Sequence, residues 1–88
     1  MYTVYKYEVP IEDYFSLQIP KGSEILSFQT QRSTPCIWVK VDPENTTEER
    51  KFRFLGTGHP IEEENLSFIG TIKLHQGGLV FHLFEILD

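Results

Sequence analysis

The chain of 88 residues is 40% apolar and 14% aromatic, with 13 acidic against 8 basic side chains and a formal charge of −5. That length supports one hydrophobic core, hence a single domain over residues 1–88, and self-association is an expected way to bury more surface. The negative balance argues against duplex nucleic acid and against electrostatic attachment to an anionic membrane, because both need a Lys/Arg-rich face.

A period of two dominates the pattern from the first residues onward. "YTVYKYEV" begins the series, and its lack of a basic leader or long apolar run predicts neither a signal peptide nor a membrane span. In "YFSLQI", Phe15, Leu17 and Ile19 alternate with polar neighbours. In "ILSFQTQR" the expected apolar side is Leu26, Phe28 and Thr30. "CIWVKV" places Ile37, Val39 and Val41 on one face, with Cys36, Trp38 and Lys40 on the other. "KFRFL" alternates Lys51 and Arg53 with Phe52 and Phe54, and "LSFIGTIKLH" and "LVFHLFEIL" complete seven strand-like segments. "PKGSE" and "RSTP" are turn chemistry and "DPENTTEER" is a polar loop. The one helical possibility is a single turn over "PIEEEN", with Pro60 at its first position. Seven short strands at this spacing predict an all-β antiparallel sandwich or small barrel.

Gly77-Gly78 reads as a two-residue hairpin turn, since glycine tolerates the positive φ such turns need. That register sets Leu74 against Phe81, Ile72 against Leu83 and Phe68 against Leu87 as a core face. The opposite face then carries His75 with Val80, Lys73 with His82, Thr71 with Phe84, and Ile69 with Ile86. Its mixed apolar and basic character predicts a cover: the other sheet, a second subunit or a ligand.

Two groups of residues suit an anion. Lys73, His75 and His82 would converge on the hairpin face, where charge-assisted hydrogen bonds strengthen as water is excluded. In "GTGHP", Gly56 and Gly58 free the backbone to turn its amides outward, while Thr57 and His59 add side-chain donors. The plainer reading of "GTGHP" is a sharp strand exit, and the motif lacks the length and lysine of a phosphate loop. His59, His75 and His82 have no tight ligand spacing, so no metal and no cofactor are expected. Cys36, alone and without a neighbour that would lower its pKa, is expected to be an unreactive strand thiol in a reducing compartment. No nucleophile sits beside a base in sequence, which favours a binding protein over an enzyme. Glu85 falls on the core face and is expected at a frayed strand end or paired with an arginine such as Arg53.

The ordered set "KYEVPIEDYFSLQIPKGSEILSFQTQ", "PCIWVKVDPE", "GTGHPI", "FIGT" and "LHQGGLVFHLFE" resembles a family of small proteins of unknown function from bacteriophages and prophages. The resemblance covers nearly the whole chain, and "GTGHPI" with "LVFHLFE" is its most specific part. One departure is "QRSTP", where the relatives carry a tight Asn-Gly-type turn. The resemblance implies an all-β module of mobile-element origin acting in the host cytoplasm, with no catalytic residues to carry over. The expected function is therefore stoichiometric capture, in its sharpest form counter-defence by a homo-oligomer that sequesters a small nucleotide-type anion. Gly56, Thr57, Gly58, His59, Lys73, His75 and His82 would bind it, with Trp38 stacking on a base. The alternatives are a protein–protein inhibitor or virion-associated domain meeting a basic host protein through Glu44, Glu48, Glu49 and Glu62 to Glu64, or, less favoured, a small nucleotide hydrolase.

Overall fold

A strand that is apolar on one side only needs a second sheet to cover that side. The computed structural model, which describes Met1–Asp88, shows seven strands arranged to do so. They are β1 (Thr3–Glu8), β2 (Tyr14–Pro20), β3 (Glu24–Gln31), β4 (Thr34–Val41), β5 (Thr47–Gly56), β6 (Leu66–Leu74) and β7 (Leu79–Ile86). One sheet has the order β1-β4-β3 and the other β2-β5-β7-β6, all neighbours being antiparallel. The all-β antiparallel class expected from the alternation is the observed one, in its sandwich form.

Between the sheets lie Ile19, Phe28, Ile37, Val39, Val41, Phe52, Phe54, Ile72, Leu74 and Leu83. Each such side chain contributes about 1.5–3 kcal/mol on leaving water. Phe28 joins the two layers: it meets Phe54 edge-on at 6.3 Å and lies over Gly70, where an added Cβ would come within 3.3 Å of it. Gly70 is therefore a close approach, and a side chain there would push β3 away from β6.

Bulges alter two of the predicted faces. The register slips between Ile25 and Ser27, so Ile25 and Phe28 turn inward while Leu26 stands 49% exposed. A second slip between Phe68 and Gly70 sends Phe68 to the outer face, 60% exposed, where its ring meets that of Phe84 at 5.4 Å. Phe68 and Leu87 are thus not core partners. An unpaired extra residue reverses which side the rest of the strand presents, and nothing in a simple alternation marks it.

The β6–β7 turn is also longer than expected. His75, Gln76 and Gly77 all take positive φ, with a short 3-10 turn over His75–Gly77 that Gly78 closes by donating its N–H to His75 O. Lys73 consequently faces Val80, Thr71 faces His82 and Phe84 faces Phe68. A displacement of two residues keeps the faces but changes every partner, because side chains alternate with period two. The helical turn expected over "PIEEEN" does not form, and residues 59–63 are irregular. Where the β3–β4 hairpin turns, Arg32 and Ser33 both have positive φ, the geometry for which Asn-Gly is the usual solution.

Candidate functional site

Strands β5 and β6 both run antiparallel to β7 and so parallel to each other. The chain leaving β5 at Gly56, opposite Phe81, must return along the sheet to start β6 at Leu66, opposite Ile86. Residues 57–65 make that return as an extended strap over the outer face of the four-stranded sheet. Arg53 and Leu55, which alternate with the core residues Phe52 and Phe54, are both buried, and Arg53 meets the strap at Pro60 and Glu63. On the β5 side, the cover of this face is a connecting segment of the chain itself, none of the three covers expected.

The strap begins with a turn in which His59 N–H donates to Gly56 O at 3.1 Å and Gly58 has φ +92°. A positive φ at the third turn position is the type II pattern, which explains glycine at 58. Thr57 N–H donates to Val80 O at 3.2 Å and stitches the turn to β7. The His59 ring folds back so closely that a Cβ on Gly56 would lie 3.3 Å from its Cε1. Two of the amides expected to greet an anion, those of Thr57 and His59, are therefore engaged internally.

His82 connects this turn to the edge of the sheet. Its Nε2 lies 2.7 Å from Thr57 Oγ1 and its Nδ1 lies 2.9 Å from Thr71 Oγ1. A neutral imidazole has one donor and one acceptor nitrogen, so in either tautomer one threonine hydroxyl donates to the ring and the other accepts from it. The arrangement fixes the ring plane and holds the start of the strap against β7.

Between the turn and the hairpin end is a cleft of about 400 Å³ lined by Gly56, Thr57, His59, Gly78, Leu79, Val80 and Phe81. Gly56, Thr57 and His59 are thus brought together, and His82 is bonded to one of them. Four other candidates are placed differently. Gly58 forms the turn, and Lys73, exposed on edge strand β6, shares the outer face with His82 and stands opposite Val80 but does not line the cleft. His75 is an exposed residue of the connecting turn. Trp38 alternates with buried Ile37 and Val39, so it faces out from the three-stranded sheet, on the opposite side of the sandwich from His82. It cannot stack on a ligand held in the cleft.

Sequence reasoning missed the row formed by Tyr14, Arg53 and Glu63. Arg53 has a side chain only 9% exposed, and its Nη1 donates to Phe54 O at 2.9 Å and Asp13 O at 3.3 Å. Its Nη2 reaches Pro60 O at 3.3 Å, and its Nε lies 3.4 Å from Glu63 Oε1 without a hydrogen bond. The Tyr14 ring lies 4.7 Å from the guanidinium carbon, and the Tyr14 hydroxyl donates to Glu63 Oε2. That hydrogen bond holds the Glu63 carboxyl below the usual carboxylate range, and it pushes the Tyr14 phenol up. Tyr14 and Arg53 are brought together by the β2–β5 register, a long-range pairing that the sequence does not mark. Glu63 could not be singled out from Glu62 and Glu64 without the strap's path.

A family model described as a domain of unknown function, DUF7352, matches residues 1–87. The chain belongs to this family. No curated protein and no solved structure matches it.

In this DUF7352 chain the other reactive side chains are engaged structurally. Cys36 is buried, and its Sγ–H points to Thr34 O at 3.5 Å. Glu85 is paired with an arginine, one of the two expected outcomes, but the partner is Arg50 and not Arg53: the carboxylate accepts from Arg50 Nε at 2.6 Å and Nη2 at 2.7 Å. No group of three His, Cys, Asp or Glu side chains converges as a metal site would require. What the cleft offers is apolar surface from Leu79, Val80 and Phe81, around the end of β7, beside the polar edge of Thr57 and His59.

Proposed function

We propose that this protein is a non-enzymatic binding module of bacteriophage type, which captures a small anionic ligand of the nucleotide class inside the host. The observation that carries this reading is the cleft where Gly56, Thr57 and His59 meet Gly78 to Phe81. Its volume of about 400 Å³ lies within the range of small-molecule sites, roughly 300–1,000 Å³. The apolar part of a ligand would meet the cleft surface of Leu79, Val80 and Phe81, and its polar group would meet the His59 imidazole. No Lys or Arg lines the cleft, so a second copy of the chain across its mouth would supply the charge that a phosphate needs. That deficit favours a homo-oligomer, with the ligand at its interface.

Thermal denaturation against cyclic and linear nucleotides tests the proposal, because a ligand bound only by the folded form raises the melting temperature. A ligand present at 100-fold over its Kd stabilises by about 2.7 kcal/mol. His59→Ala should remove most of the shift while leaving the unliganded melting temperature near that of the parent. Absence of any shift at millimolar nucleotide, in both monomer and oligomer fractions, would overturn it.

A protein–protein inhibitor is the second reading, favoured by Leu26 and Phe68. The bulges expose both side chains, and together they line one groove between edge strands β3 and β6. Adjacent exposed apolar residues on a small acidic protein suit a partner with a greasy centre and a basic rim. Phe68→Ser would abolish capture of such a partner and leave nucleotide binding alone.

A further inference from the structure

An arginine side chain has two hydrogen-bonding edges, and the edge formed by Nε–H and one Nη–H matches the two oxygens of a carboxylate or phosphate. In Arg53 that edge is filled in an unusual way. Two separate groups of the strap occupy it, Glu63 Oε1 at 3.4 Å from Nε and Pro60 O at 3.3 Å from Nη2. Both contacts are long for a charge-assisted bond, which is ordinarily about 2.7–2.9 Å. Neither Nε nor Glu63 Oε1 makes a hydrogen bond, although both atoms are buried. A buried donor and acceptor left unmatched are costly, so this edge is underused.

The opposite side of the same guanidinium is held from β5 and β2, most closely by Phe54 O at 2.9 Å. Nη1 donates to Phe54 O within β5 and to Asp13 O at the entry to β2, and the Tyr14 ring lies against the guanidinium face. None of these three anchors belongs to the strap, so Arg53 keeps its position when the strap lifts. The strap, in contrast, has no regular secondary structure between His59 and Glu63, and Ile61 at its centre is half exposed. A fixed seat carries an occupant that is bonded to Tyr14 through Oε2 but poorly matched to Arg53 through Oε1.

We propose that the Nε/Nη2 edge of Arg53, together with the Tyr14 hydroxyl, is a recognition site for an external carboxylate or phosphate monoanion. Glu63 is its displaceable internal occupant. One incoming anion replaces the two long contacts to Arg53 by two short ones and takes over the Tyr14 hydroxyl from Glu63, whose carboxylate passes to water. Its binding releases residues 59–63 from the sheet and carries His59 away from Gly56, since the strap begins at that turn. The site shares no contact with Thr57, His59 or Val80, but its occupation displaces His59, so filling it opposes binding in the cleft.

The test uses the full chain with uniform nitrogen labelling and follows the Arg53 Nε–H signal during titration with inorganic phosphate, acetate and, as a control, chloride at constant ionic strength. In Glu63→Ala the internal competitor is gone, so the signal should saturate at an anion concentration roughly tenfold or more below that of the parent. Phosphate saturating before acetate identifies a phosphoryl ligand, and the reverse order a carboxylate. In the parent, saturation should also accelerate amide exchange over residues 57–65 while β4 and β7 stay protected. An Arg53 signal in Glu63→Ala that moves no more with phosphate or acetate than with chloride overturns the proposal. So does loss of protection throughout the core in both Glu63→Ala and Glu63→Gln, since the contact would then be part of the fold and not an occupant.

Discussion

Strand β5 carries two arginines on opposite faces, each paired with a glutamate, and the two pairs are built differently. Arg50 shares the side of Phe52 and Phe54, and it holds Glu85 through two hydrogen bonds of 2.6 and 2.7 Å while Nη1 donates to Ser23 O at 2.6 Å. Arg53 on the outer face meets Glu63 at 3.4 Å without a hydrogen bond. Glu85 is on a strand whose position relative to β5 is set by the ladder, since Glu85 stands opposite Phe52 and diagonal to Arg50. Glu63 is on a strap free to choose its own path. A good bidentate pair needs both partners delivered by rigid elements, and the difference shows how much of an ion pair's geometry comes from its carriers.

The largest effect should follow breaking the rigid pair. Glu85→Ala leaves Arg50 without its carboxylate and should cost about 2–3 kcal/mol in denaturant unfolding. The loss is below the ~3–5 kcal/mol of a fully enclosed pair, because both side chains are 16% exposed. Arg50→Lys keeps the charge but loses the fork, so a smaller loss of about 1 kcal/mol is expected in the same measurement. Bonding to Glu85 raises the Arg50 pKa further above its usual value, so the guanidinium stays charged at every accessible pH.

Glu63→Gln should leave the unfolding midpoint close to that of the parent and act locally, speeding amide exchange in residues 57–65. If it lowers the midpoint as much as Glu85→Ala does, the contrast between the two pairs fails. Acid should mimic this variant. The folded pKa of Glu63 is depressed, so its contribution is present above the ordinary carboxylate pKa and is lost as pH falls through the folded value. Exchange at the strap should rise at that point, before the rest of the sandwich opens.

The smallest effect lies at the alkaline end. Tyr14 has a raised pKa through its hydrogen bond to Glu63, so its contribution is complete below the ordinary phenol value and is lost as pH rises through the folded one. Burial raises Tyr7 as well. In an ultraviolet titration of phenolate formation, these two of the four tyrosines should ionise last. Glu63→Ala should return Tyr14, but not Tyr7, to the ordinary range.

The alternation of Ile37, Val39 and Val41, and of Phe52 and Phe54, was legible because burial on one side of a pleated strand has to recur every second residue. The same rule identified seven strands and the antiparallel all-β class, and it assigned Leu74, Ile72 and Leu83 to the core. It failed at Leu26 and Phe68, where a bulge inserts a residue without any compositional mark. The candidate site was half legible. Thr57, His59 and His82 do come together, but His75 falls in a turn longer than its two glycines suggest, Lys73 stands opposite Val80 instead of His82 and does not line the cleft, and Trp38 lies on the other sheet.

By itself, then, the sequence determined which residues are strands, which sides are apolar, and that the whole is a single small β domain with an acidic surface. Only the tertiary structure decided that residues 57–65 lie across the outer face, that Glu63 rather than its neighbours meets Arg53, and that Glu85 belongs to Arg50. Strand propensity and periodicity depend on nearest neighbours along the chain. The path of an irregular segment and the choice among three consecutive glutamates depend on groups as distant as Tyr14, which only folding brings within reach.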